Sequence, residues 1–189
     1  MKPNINLRPI MAGMAAWMLT LAGCASFQEK IPFVGEPARQ RNEGYALLYE
    51  LTDQEQNVDK ILILKHAPPP VAAVIKEIAQ LFGHAHDQLD QFAKQDASLQ
   101  MDKTRLPALE EQTRGAISSQ TTKRLIFSTG REFEIQLLLT QLQALQYASH
   151  LAQQVARQDR QADRGRFLKE FSQQCERLYQ HVLQLLSAP

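Results

Sequence analysis

The 189-residue sequence is poor in the residues that build several common functional sites. It has two cysteines and eight glycines, and its formal charge is only +1. The scattered glycines form no phosphate-binding loop, and the serines have no Gly-x-Ser-x-Gly turn. No basic stripe with interleaved aromatic residues favours nucleic-acid binding. No stretch alternates apolar and polar residues as strands do, and none reaches the roughly 20 apolar residues that span a bilayer.

The N-terminus has the pattern of a secretory signal peptide. Lys2 and Arg8 come before an apolar run over residues 10–21, and small residues follow. Leu21-Ala22-Gly23-Cys24 resembles the lipobox of bacterial lipoproteins. That resemblance implies cleavage between Gly23 and Cys24, a diacylglycerol on the Cys24 thiol and acylation of the new amino group. Two alternatives stay open, an uncleaved membrane anchor and an ordinary signal peptide followed by a coincidental cysteine.

The same resemblance implies where the protein resides. Three acyl chains, at about 0.8 kcal/mol per buried methylene, hold a protein firmly on a membrane. In enterobacterial lipoproteins an aspartate after the lipidated cysteine favours the inner membrane, whereas this chain has Ala25. We therefore expect attachment to the outer membrane, facing the periplasm. The expected partners are the membrane itself, through the lipid, and a protein of the envelope, with no nucleic acid.

Three segments are predicted along the chain: a signal peptide over 1–23, a lipidated flexible tether over 24–42 and a helical domain over 43–189. In the domain, apolar residues recur at spacings of three and four, which is typical of amphipathic helices. Helices are predicted over about 44–65, 70–95, 107–127, 131–158 and 163–186. The third is weakly amphipathic, with Gly115 as a potential interruption. Four strong helices and a weaker one predict an all-α fold, an antiparallel four-helix bundle with an additional short helix.

Several residues of the domain carry a second resemblance. Glu55 is followed by Ala67-Pro68-Pro69-Pro70 and a helix led by Val71, Gly130-Arg131-Glu132-Phe133 opens a later helix, and His181 comes late in the last one. Over residues 44–186 the chain resembles a ferritin-like bundle family of unknown function described as predicted outer-membrane proteins. The resemblance implies a ferritin-like fold. The chain departs from the family at Phe82 and near Leu145, where histidines are usual, and it lacks the Glu-x-x-His pairs of ferritin-like iron sites.

Four residues are candidate metal ligands because they lie on or beside apolar helix faces. They are Glu55, His86, Glu134 and His181. Carboxylates and imidazoles brought together in a bundle could form one mixed oxygen and nitrogen site. The alternative is that each is satisfied separately and serves the fold. We favour separate roles, and we expect no catalytic residues, no enzymatic activity and no metal cofactor.

Two further expectations concern the helix faces. Cys175 lies between Phe171 and Leu178 on an apolar stripe, which predicts a buried, inert thiol rather than a redox group or an intermolecular link. The second expectation is that a group of glutamines forms solvated surface rather than a partner-binding face. That group is Gln141, Gln143, Gln146, Gln153 and Gln154.

Overall fold

A computed structural model describes residues 36–101 and 107–187, and this part of the chain is helical, with no strand. The predicted signal peptide, the cleavage site at Gly23, the lipidation site Cys24 and residues 24–35 of the tether lie outside the described residues. The helices are α1 (Glu36–Glu55), α2 (Ile61–Leu64), α3 (Pro69–Gln95), α4 (Ala108–Phe127), α5 (Gly130–Gln158) and α6 (Ala162–Ser187), with a 3-10 turn at Val58–Lys60.

The last four helices start and end within a residue of the predicted bounds, so those predictions are confirmed. The proline-rich break also lies where expected. Lys65 is extended, and Pro69 begins α3 because proline suits the first helical turn, where no amide is needed. At the first residue of α5, Gly130 adopts φ +55°, a conformation that residues with a Cβ rarely take. Gly115 does not interrupt α4.

The first helix differs from its prediction at both ends. It begins at Glu36, so residues 36–42 are helical rather than tether, and the buried Asn42 amide donates to the Ser98 carbonyl at 2.8 Å. It ends at Glu55 rather than near residue 65. Local side-chain bonds at this point compete with the helix: Gln56 donates to the Asp53 carboxylate at 3.1 Å, and the Asn57 amide donates to the Asp53 carbonyl at 3.4 Å.

The core forms from the stripes that the spacing predicted on α3, α5 and α6. On α5, Leu139 lies outside the core and is 43% exposed. Phe82 and Phe171 meet edge to face at 5.7 Å, which joins α3 to α6. The buried residues of these stripes include Val71, Ile75, Ile78, Phe82, Leu89, Leu138, Leu145, Ala148, Ala152, Val155, Leu168, Phe171, Cys175, Leu178 and Val182.

In each pair of neighbouring helices, residues that come later in one helix contact residues that come earlier in the other. From the start of α1 onward, its residues face successively earlier residues of α3, and the same holds for α1 with α5, α3 with α6 and α5 with α6. The pairs that show this are Asn42–Ser98, Tyr49–Asp90 and Thr52–His86; Gly44–Val155 and Glu55–Gln141; Glu77–Arg177 and Asp96–Arg164; and Ser149–Ser172 and Asp159–Arg164.

These pairs define two ends of the helical domain, which we call the near end, where α1 starts, and the far end, where α1 ends. At the near end, the start of α1 lies beside the end of α3 and the α5–α6 turn, as the Asn42 and Tyr45 bonds show. At the far end are the end of α1, α2 and the α4–α5 junction, where the Lys65 ammonium donates to the Ser128 carbonyl at 3.0 Å. Helix α4 contacts α5 but contributes no buried residue, as its weak amphipathicity predicted.

Candidate functional site

The carboxyl of Glu55 lies between α1 and α5. Its Oε2 atom accepts a hydrogen bond from Gln141 Nε2 at 3.2 Å. Burial raises the pKa of Glu55, and the Gln141 bond opposes that rise only in part. Gln141 is 2% exposed, so the prediction that it belongs to the solvated surface is wrong. Gln153 also departs from that prediction, because it is half-buried and donates to the Ser172 hydroxyl at 2.9 Å.

His86 contributes to the contact between α3 and α1. Its Nδ1 atom lies 3.2 Å from the Thr52 hydroxyl, and its ring is 4.4 Å from the ring of Tyr49. The Tyr49 hydroxyl donates to the Asp90 carboxylate at 2.7 Å, a bond that, with burial, raises the pKa of Tyr49 to about 12. The imidazole therefore packs between two side chains of α1.

The other two candidate ligands lie in different surroundings. Glu134, near the start of α5, accepts a hydrogen bond from Arg131 at 3.2 Å. His181 is exposed on α6. Across residues 36–101 and 107–187, no three His, Cys, Asp or Glu side chains come close enough together to hold a metal ion. The four candidates are thus not gathered into one site in this part of the chain.

A buried ionic cluster at the near end was missed by the sequence reasoning. Arg164 donates to both carboxylate oxygens of Asp159 at 2.7 and 3.0 Å, and to Asp96 at 2.7 Å. The Tyr45 hydroxyl donates to the same Asp159 at 2.6 Å. The cluster therefore joins α1, the end of α3, the α5–α6 turn and α6 through charge-assisted bonds, which are stronger than neutral ones.

The electrostatics of this cluster follow from its hydrogen bonds. Burial alone would raise the pKa of Asp159, but the bonds from Arg164 and Tyr45 hold it below its usual value. Bonds from Ser98 and Arg164 lower the pKa of Asp96 to about 2. Both carboxylates are therefore ionised at neutral pH and keep Arg164 paired. Each polar group in the cluster has a partner in the fold, which indicates a structural role.

The thiol of Cys175 is fully buried on α6, as predicted. Burial, reinforced by the neighbouring Glu176, raises its pKa far above the usual thiol range. A thiol nucleophile reacts as the thiolate, and an apolar environment suppresses that form. Cys175 is therefore a core residue.

The far end presents large apolar side chains to solvent. Ile63 and Leu64 of α2 are 83% and 74% exposed, and Ile126 and Phe127 of α4 are 43% and 81% exposed. Because Lys65 bonds to Ser128, the two pairs lie at the same end of the molecule. We call these four residues the far-end patch. Exposed apolar groups of this kind, when clustered, commonly mark interaction surfaces.

A shallow depression adjoins the far-end patch on the α4 side. It is lined by Gln120, Lys123, Arg124, Phe127, Ser128 and Glu132. Lys123 and Arg124 are exposed on the last turns of α4, so cationic groups stand beside the exposed Phe127 ring. The depression thus sets two cations and one carboxylate, that of Glu132, beside the apolar Phe127 ring.

Comparisons with known proteins give no relative for this chain. No family model matches it, and neither a curated protein nor a solved structure does. Within the residues described, none of the helices is both long and apolar enough to cross a membrane.

Proposed function

We propose that this chain is a lipid-anchored protein of the bacterial cell envelope, with a helical domain that binds a protein partner and performs no catalysis. The observation that carries the proposal is the sequence Leu21-Ala22-Gly23-Cys24 directly after a signal-like segment. Acylation of Cys24 would place the domain at a membrane surface, and Ala25 favours the outer membrane.

We further propose that α1, α3, α5 and α6 form an antiparallel four-helix bundle of the ferritin-like kind. Support comes from the reversed order of partners in the four neighbouring pairs. Helices α3 and α5 both run opposite to α1, and the connection between them gives additional support. Ferritin-like bundles have one long crossover between parallel helices, and α4 lies in that connection here.

The far-end patch is the proposed partner-binding surface. Within the domain, the patch lies at the opposite end from the start of α1, where the tether would enter. We expect the partner to be a protein that presents apolar side chains flanked by carboxylates, because Lys123 and Arg124 stand beside Phe127. Burial of the apolar groups would favour binding, while the charges would favour the correct partner.

Metabolic labelling with a fatty-acid probe tests the anchor. The chain offers a matched control, since its only other cysteine is Cys175. We expect Cys24→Ser to abolish the label and to accumulate unprocessed precursor, whereas Cys175→Ser keeps both the label and the processing. A labelled Cys24→Ser variant, or loss of label in Cys175→Ser, contradicts the proposed lipidation.

Site-specific photocrosslinking in cells tests the binding surface. A photoreactive residue at Phe127 should give a discrete protein adduct, and the same residue at the exposed Gln173 of α6 should not. The adduct should disappear when Lys123 and Arg124 are both changed to Glu, since this reverses the charge beside the patch. Equal adducts at both positions, adducts insensitive to the charge reversal, or crosslinking to lipid alone would contradict a protein partner at this end.

A further inference from the structure

The contact between Glu55 and Gln141 leaves one buried atom without a partner. Gln141 Nε2 donates to Glu55 Oε2 at 3.2 Å, but Gln141 Oε1 is buried and accepts no hydrogen bond from the described residues. A buried acceptor left unpaired costs about 1–3 kcal/mol. An ionised carboxylate cannot correct this because it has acceptors and no donor.

A neutral carboxylic acid matches a primary amide group for group. The acid has one O–H donor and one carbonyl acceptor, and the amide has an N–H donor and a carbonyl acceptor. We propose that Glu55 is held as a neutral acid whose O–H donates to Gln141 Oε1, forming a two-hydrogen-bond pair that fastens α1 to α5, and that ionisation of Glu55 weakens this contact. In the ionised form, the carboxylate would keep only the bond from Nε2.

The environment of Glu55 agrees with a neutral acid. Burial raises its pKa, and the opposing cause is the Gln141 bond itself. The charged and titratable groups nearest in sequence are Glu50, Asp53, Asp59 and Lys60, and those on the packed helices α3 and α5 include His86 and Glu134. His86 packs on Tyr49 beside Thr52, and Glu134 pairs with Arg131. Among the described residues, no cation contributes to the pKa of Glu55.

The sign of the pH effect follows from that raised pKa. The acid–amide pair is complete below the ordinary glutamate pKa and is lost as pH rises through the raised pKa of Glu55. Glu55 is the last residue of α1, directly before the segment that contains Ile63 and Leu64. The end of α1 should therefore loosen on the alkaline side. This inference does not depend on the proposed lipid anchor or partner.

Two measurements test the acid–amide pair. Both use the protein in the form in which the cell makes it. The carboxyl carbon of Glu55, followed by NMR, should titrate with a midpoint clearly above the ordinary glutamate value of about 4.3. Hydrogen exchange at the end of α1 should accelerate across the same midpoint, beyond its intrinsic dependence on pH. A midpoint at or below the ordinary value would overturn the proposal, and so would exchange that ignores the titration.

Substitutions separate the pair from general effects of charge. Glu55→Gln replaces the acid by an uncharged amide of the same shape. Over the pH range in which the urea midpoint of the native chain falls as pH rises, the urea midpoint of this variant should stay constant. Glu170→Gln removes the same charge from an exposed position of α6 and should retain the native pH dependence. If Glu55→Gln keeps that dependence, or if Glu170→Gln loses it, the pair is not the source. Should Glu55→Gln fail to fold, the NMR midpoint of the native chain decides.

Discussion

Gly44 provides a test of how closely α1 packs on α5. A Cβ built at Gly44 would lie 2.5 Å from Val155 Cγ2, which is closer than real Cβ contacts. Val155 is 2% exposed, and β-branched residues in helices have essentially one χ1 rotamer, so this methyl group cannot easily turn away. Gly44→Ala should therefore force the two helices apart.

The expected magnitude is a balance of two effects. Alanine in place of glycine stabilises a helix by about 0.8–1.0 kcal/mol, whereas overpacking a core costs about 1–3 kcal/mol. The net change for Gly44→Ala should thus be a loss of up to about 2 kcal/mol in the free energy of unfolding. At Gly115 on α4, a built Cβ meets nothing within 4 Å, so Gly115→Ala should stabilise by about 0.5–1 kcal/mol.

A double-mutant cycle with Val155 isolates the contact. Val155→Ala alone should cost about 2 kcal/mol from lost burial and a small cavity. It also removes the methyl group that the Cβ added by Gly44→Ala would strike, so the double variant should be more stable than the sum of the single changes by about 1–3 kcal/mol. Urea unfolding supplies all four free energies. Additive changes, or a Gly44→Ala variant stabilised as much as Gly115→Ala, would refute the close packing.

Three further predictions concern buried groups. Asp159→Asn should lower the free energy of unfolding at pH 7 by about 3 kcal/mol, because Arg164 would lose a buried charged partner; urea unfolding measures it, and a change within about 0.5 kcal/mol would contradict the role of the cluster. The pKa values of Asp159 and Asp96 are lowered in the folded chain, so both carboxylates add to the free energy of unfolding above the ordinary aspartate pKa. That contribution is lost as pH falls from about 4 toward 2. Acid unfolding followed by circular dichroism should show that loss in the native chain and a smaller one in Asp159→Asn. Cys175 should react with a thiol reagent only after unfolding, and rapid reaction in the folded chain would show that its helix face is not in the core.

The sequence predicted the parts of the fold that depend on local pattern. Three consecutive prolines cannot lie inside a helix but fit the first turn of one, and the spacing from Val71 to Leu89 specifies a buried face without knowledge of the neighbouring helices. The start of α1 was missed because residues 36–42 are mostly polar. Their helix is held by a distant contact, the bond from Asn42 to Ser98.

The candidate site was less predictable for the same physical reason. Gln141 resembles its exposed neighbours in sequence, and its hydrogen-bond partner Glu55 lies 86 residues earlier. Nothing in the local pattern distinguishes Arg164 from the exposed arginines around it, since one of its carboxylate partners is 68 residues away. Helical periodicity gives the buried face of each helix, whereas these polar pairs depend on which helices become neighbours.

The mass of the intact chain purified from bacterial membranes tests the central proposal most directly. We expect one species that begins at Cys24 and exceeds the mass of residues 24–189 by a diacylglyceryl group and one amide-linked acyl chain. The added mass should map to the N-terminal cysteine on fragmentation. A chain that begins at Met1, or one cleaved elsewhere and carrying no lipid, would contradict the lipid anchor and with it the envelope function proposed for this protein.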